Sequence, residues 1–166
     1  MILIKTHPKN KKYFIRLKQF AQQVLDACKE LKITPIVWGG LAYFAYTKDR
    51  LTVIHDIDFL VPDNAIKKIM KRLKEKGIKC NCLADWHSLV VSKKDLRIEF
   101  DPIKWYHKGP KKFREFDFNG LRVKVIGLDS LIKMYKRASK VSKDKPGQHR
   151  ERLEALKTIS GMVTSN

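Results

Sequence analysis

The chain has 166 residues, enough for one ordinary domain that buries roughly two thirds of the surface exposed by its unfolded form. Hydrophobic residues make up 43% and charged residues 32%, a globular balance that excludes a disordered chain, and no run approaches the roughly 18 apolar residues of a membrane span. Thirty-six Lys and Arg against 17 Asp and Glu leave a formal charge of +19, a positive field that speeds encounter with polyanions and makes nucleotides and nucleic acids the natural partners.

The N-terminus opens on a short apolar run, Met1 to Ile4, with no small-residue cleavage site behind it, so no secretory signal is expected. Cys28, Cys80 and Cys82 form an odd set without disulfide spacing, in keeping with a reducing compartment, and the expected location is cytoplasmic. Cys80 and Cys82 share a face if they lie on a strand and could pair on a metal with His87, but ordinary partly buried thiols are the favoured reading.

In chain order, Phe14, Leu17, Ala21, Val24, Cys28 and Leu31 recur at steps of three and four, which predicts an amphipathic helix over about 11–31. Ile36 to Trp38 reads as a short strand, Gly39-Gly40 as a turn, and Leu41 to Ala45 as a short helix. A strand is predicted from Ile54 to Val61. It is closed by Pro62-Asp63-Asn64, which starts a helix bearing Ile66, Ile69, Met70 and Leu73 and ending at Gly77. The lysines of that helix, Lys67, Lys68, Lys71, Lys74 and Lys76, read first as a solvated face.

Further β-type runs follow around 78–83, 88–92 and 96–100, with a turn over Ser92 to Asp95. Asn119-Gly120, between Phe116 to Phe118 and Leu121 to Val125, is a strong hairpin signal. Two C-terminal helices, about 130–139 and 149–159, complete the map, joined by a loop over Lys143 to Gly147. With no repeat, low-complexity tract or linker, the chain reads as a single α+β domain over 1–166, with a mixed central sheet flanked by helices.

Inside this basic chain, Asp56 and Asp58 lie two apart in an apolar strand, so a period of two puts both carboxylates on one face, with Ile57, Phe59 and Val61 on the other. Like charges fixed side by side repel, and a cation between them offsets this. Oxygen ligands suit Mg²⁺ or Mn²⁺, which commonly arrives with phosphate oxygens. A third acid is expected from the run Leu96 to Asp101, where Glu99 and Asp101 share a face. Glu99 is preferred because it lies within the apolar run, whereas Asp101 precedes Pro102 and marks the strand's end. Gly39-Gly40, between a strand and a helix, would let backbone N–H groups approach a phosphate closely.

Taken together, Val37 to Gly40, His55 to Asp58 and Arg97 to Glu99 resemble the signature of the DNA polymerase beta-like nucleotidyltransferase superfamily, over roughly residues 30–145. The nearest likeness is to its minimal bacterial and archaeal branch, which includes antibiotic-modifying enzymes and abortive-infection toxins. The resemblance implies a transferase that moves a nucleoside monophosphate from a nucleoside triphosphate to an acceptor, with Mg²⁺ or Mn²⁺ bound by Asp56, Asp58 and Glu99 and with Gly39 and Gly40 beside the phosphates. It also implies that Lys136, on the helix after the sheet, faces those phosphates, and that Lys143-Asp144 echoes a pair common in the family, although Pro146 to Gln148 departs from the aspartate expected next. His87 is a candidate for substrate contact or proton transfer, with a hydrogen-bonded structural histidine as the commoner reading. Trp38, Trp86, Trp105 and Tyr106 offer base-stacking faces but read first as packing residues.

The acceptor implied is RNA, a protein hydroxyl or a small molecule, and the charge favours nucleic acid. A silent nucleic-acid-binding module and a toxin or antitoxin working through a protein partner or a homo-oligomer are the competing readings. Retention of the three acids and both glycines weighs against a silent scaffold.

Overall fold

The computed structural model describes residues 1–83, 88–106, 112–141 and 146–164. Its elements run β1 (Ile2–Leu3), α1 (Lys11–Glu30), β2 (Ile36–Trp38), α2 (Gly39–Thr47), β3 (Ile57–Val61), α3 (Ala65–Glu75), β4 (Cys80–Leu83), β5 (Ser88–Lys93), β6 (Leu96–Pro102), β7 (Phe113–Asp117), β8 (Arg122–Ile126), α4 (Leu128–Val141) and α5 (Pro146–Thr164), with a 3-10 turn over Ile103–Tyr106. The expected α+β architecture is present: one eight-stranded mixed sheet in the order β1-β7-β8-β2-β3-β6-β5-β4. β3 runs antiparallel to β2 and parallel to β6, and β6 is antiparallel to β5.

Local chemistry accounts for the elements. The apolar stripe of α1 is buried as its spacing requires, from Phe14 to Cys28. α3 ends in the left-handed glycine the sequence offers: Gly77 has φ +71°, and the Ile78 N–H returns to the Leu73 carbonyl at 2.9 Å. The β7–β8 hairpin turns through Asn119 (φ 53°) and Gly120 (φ 99°), the paired positive φ values of a type I′ turn, and Lys18 from α1 donates to the carbonyls of Phe118 (2.7 Å) and Asn119 (3.0 Å).

The strand expected from Ile54 starts only at Ile57, so Asp56 lies just ahead of the ladder. The reason is competition for backbone groups: the Asn10 side chain donates to the Ile54 carbonyl (2.6 Å) and accepts from the Ile54 N–H (3.1 Å), drawing that segment toward α1. Conversely β6 continues past its expected end, with Leu60 opposite Asp101 and Val61 opposite Pro102, so Asp101 is a strand residue.

The core is aromatic beneath the acidic strands. Phe59 and Phe100, opposite one another on β3 and β6, stack with centroids 5.3 Å apart, and both are fully buried. Phe14 meets Phe44 and Phe118 edge-on, joining α1 to α2 and to the β7–β8 hairpin. α2 packs on β2 and β3 and against α4 and α5, which places its first turn beside the C-terminal helices. Truncating Phe59 to Ala should therefore cost about 3–5 kcal/mol, read in urea unfolding as a lower midpoint at unchanged slope.

Candidate metal and nucleotide site

Strand register brings the acids together. Asp58 on β3 lies opposite Glu99 on β6, and Asp101 is two residues further along β6, on the same face as Glu99. One carboxylate oxygen from each of Asp58, Glu99 and Asp101 lies within 4.8 Å of the others. Both third-acid candidates thus converge on Asp58. Asp56 and Asp58 both line a cleft of about 340 Å³ that also takes in Gly39, Gly40, Tyr135, His149 and Arg152.

The electrostatics follow from this convergence. Burial, followed by the charges of Asp56, Asp101 and Glu99, holds the Asp58 carboxyl well above the usual carboxylate range. Burial pushes Asp101 up to about 6, although Ser88 Oγ donates to its Oδ1 (2.5 Å) and Trp38 Nε1 to its Oδ2 (3.2 Å). Arg97 forms a salt bridge with Glu99, whose side chain is 20% exposed. The donor set is oxygen-only and rich in like charge that a cation would neutralise, which fits a hard divalent ion such as Mg²⁺ or Mn²⁺.

The glycine turn fits against these acids. Gly39 opens α2 at φ +65°, and a Cβ placed there would lie 2.3 Å from Asp58 Oδ2, so both the backbone conformation and the carboxylate require glycine. A Cβ on Gly40 would sit 3.6 Å from a guanidinium nitrogen of Arg152. That guanidinium donates to Tyr135 Oη (3.0 Å) and lies over the rings of Tyr43 (5.1 Å) and Tyr135 (5.9 Å). A cation is therefore fixed beside the α2 N-terminus, where backbone N–H groups already favour an anion.

Lys136, the cation expected at the phosphates, is exposed on α4 and is not among the cleft-lining residues, whereas its neighbour Tyr135 is buried and lines the cleft. Sequence reasoning missed Arg152. The available signal was its spacing: Arg152 is four residues from the buried Leu156, so helical periodicity puts an arginine on the packed side of α5. It also missed Ser88, and it read Trp38 as packing, whereas the Trp38 indole binds Asp101. His87, Trp86 and the Lys143-Asp144 pair lie outside the described residues. The three cysteines are free thiols. Those of Cys80 and Cys82 both lie over Met70, and burial pushes the Cys28 thiol up to about 12.

No protein-family model and no curated protein sequence matches the chain. Solved structures do. The antibiotic-resistance factor ANT(2")-Ia, in complex with adenylyl-2"-tobramycin, superposes with a TM-score of 0.65 at 18% identity, over 89% of this chain and 91% of that one. The lincosamide antibiotic adenylyltransferase LnuA, lincomycin-bound, gives 0.57 at 16% identity, over 86% of this chain and 96% of its own. The Megavirus polyadenylate synthase gives 0.57 at 14% identity, over 84% of this chain and 30% of the synthase. The fold is that of the nucleotidyltransferases, as the sequence resemblance implied.

Two outcomes follow from the packing of Gly39 on Asp58. Mg²⁺ should raise the melting temperature of the wild type, and Gly39→Ala should stay folded by circular dichroism yet lose that rise, because the new methyl displaces a carboxylate. Asp58→Asn should melt about 2–4 °C above the wild type in chelator, since it removes a carboxyl that is buried and faces other acids, and should gain nothing from Mg²⁺.

Proposed function

We propose that the chain is a metal-dependent nucleotidyltransferase that moves a nucleoside monophosphate from a nucleoside triphosphate onto an acceptor. The observation that carries this reading is the convergence of Asp58, Glu99 and Asp101, with Asp58 packed directly against a glycine turn that opens a helix. In this reading Asp58, Glu99 and Asp101, with Asp56 at the cleft edge, hold Mg²⁺ or Mn²⁺. When bound, such ions lower the pKa of an attacking oxygen and neutralise charge on the departing pyrophosphate. The N–H groups at the start of α2 receive a phosphate oxygen, for which Gly39 and Gly40 leave room. Arg152, held in place by Tyr135 and Tyr43, takes the phosphate-facing role otherwise given to Lys136.

The acceptor reading rests on charge. A chain at +19 repels cationic acceptors and concentrates polyanions, so RNA is favoured over a basic small molecule. Free thiols support a cytoplasmic setting.

Calorimetric titration with each nucleoside triphosphate should show binding that depends on Mg²⁺, and Asp58→Ala should abolish that dependence. A silent nucleic-acid-binding module would show none. Labelled triphosphate should be transferred to RNA by the wild type and not by Asp56→Ala/Asp58→Ala, and equal labelling by the two would defeat the enzymatic reading. Arg152→Met should weaken triphosphate binding about tenfold, or about 1.4 kcal/mol, while leaving Mn²⁺ binding to the nucleotide-free protein unchanged.

A further inference from the structure

Asn10 occupies the N-cap position of α1, where an asparagine ordinarily accepts hydrogen bonds from its own helix. Here its side chain makes no such cap bond. Its amide instead brackets Ile54 on both backbone groups, at 2.6 and 3.1 Å, as a neighbouring strand would. One turn on, Tyr13 Oη donates to the His55 carbonyl at 2.5 Å and lies 3.1 Å from the carbonyl of Asp95. Arg16 lies over the Tyr13 ring, 5.6 Å from its centroid, and grips the Asp95 carboxylate with both terminal nitrogens, at 3.1 and 2.5 Å.

These contacts fall at two places that matter. Ile54 and His55 lead directly into Asp56, which lies just ahead of the first rung of β3 at Ile57. Asp95 leads directly into β6, the strand that carries Glu99 and Asp101. The first turns of α1 therefore fix the approach to both acid-bearing segments, and the Tyr13 hydroxyl touches both.

From this we infer that Asn10 and Tyr13 are positioning residues for the acidic site: they fix the backbone that leads into Asp56 and set it against β6. The inference rests on the reading of these acids as metal ligands. Groups that orient metal ligands without touching the ion commonly govern affinity by tenfold or more. Asn10 and Tyr13 act here on the backbone that presents a ligand.

The test is Mn²⁺ binding to the full chain, followed by the electron paramagnetic resonance signal of the free ion, with melting temperature measured in parallel. Tyr13→Phe deletes one oxygen and keeps the ring. Asn10→Ala removes the bracket, and Asp58→Ala serves as the control. The expected result is Mn²⁺ affinity about tenfold weaker in Tyr13→Phe and Asn10→Ala, with Tyr13→Phe melting within about 4 °C of the wild type. A residue that only supports the fold would lower the melting temperature and leave Mn²⁺ affinity unchanged well below it, and that outcome in Tyr13→Phe overturns the inference. Should Asn10→Ala fail to fold, Tyr13→Phe alone decides. If Asp58→Ala loses Mn²⁺ while Tyr13→Phe binds like the wild type, the positioning role fails and the site reading stands. If Asp58→Ala binds Mn²⁺ like the wild type, the site reading itself fails.

Discussion

The organising constraint in this protein is electrostatic repulsion that the sheet does not allow to relax. Asp58, Glu99 and Asp101 are locked together by the pairing of β3 with β6, and Asp56 adds a fourth charge from just outside the ladder. A chain with twice as many bases as acids could have neutralised every one of these groups on its surface. Instead it gathers four carboxylates along two neighbouring strands and the approach to one of them, with Arg97 the guanidinium paired with Glu99. Such a cluster destabilises the metal-free fold, and its natural counterweight is a bound cation.

The surroundings are shaped to keep the acids where they are. Phe59 and Phe100 stack beneath them, Ser88 and Trp38 orient Asp101 from two different strands, and Gly39 leaves the space that the Asp58 carboxylate occupies. Positive charge enters the same cleft through Arg152, supported by two tyrosines. Anionic and cationic sides of the cleft are thus built on different elements, the first on the sheet and the second on the C-terminal helices, with the glycine turn between them.

Much of this was legible in the sequence because it depends on short-range periodicity. The glycine pair at a strand-to-helix junction, the carboxylate of Asp58 in an apolar strand, and the shared face of Glu99 and Asp101 all follow from alternation and turn chemistry. What sequence could not supply depends on partners far along the chain. The strand stops short of Ile54, against its alternation, because the competing donor and acceptor belong to Asn10, 44 residues away. Arg152 was overlooked because its meaning comes from Gly40 and Tyr135, which no local pattern connects to it. Asp101 was discounted by a proline rule that holds for strand interiors, and Pro102 does lie at the last rung of the ladder, one residue too late to exclude the aspartate.

The parallel pairing of β3 with β6 has a consequence for how the protein is made. Parallel neighbours cannot be joined by a tight hairpin, and here the intervening chain contains α3, β4 and β5 before Glu99 can reach Asp58. During synthesis the first two acids therefore leave the ribosome long before their partners, and the acids come together only when non-local sheet pairing is complete, a slow class of folding event. The acid cluster is in this way a property of the finished sheet, and it does not exist while the chain is still being extended through β5.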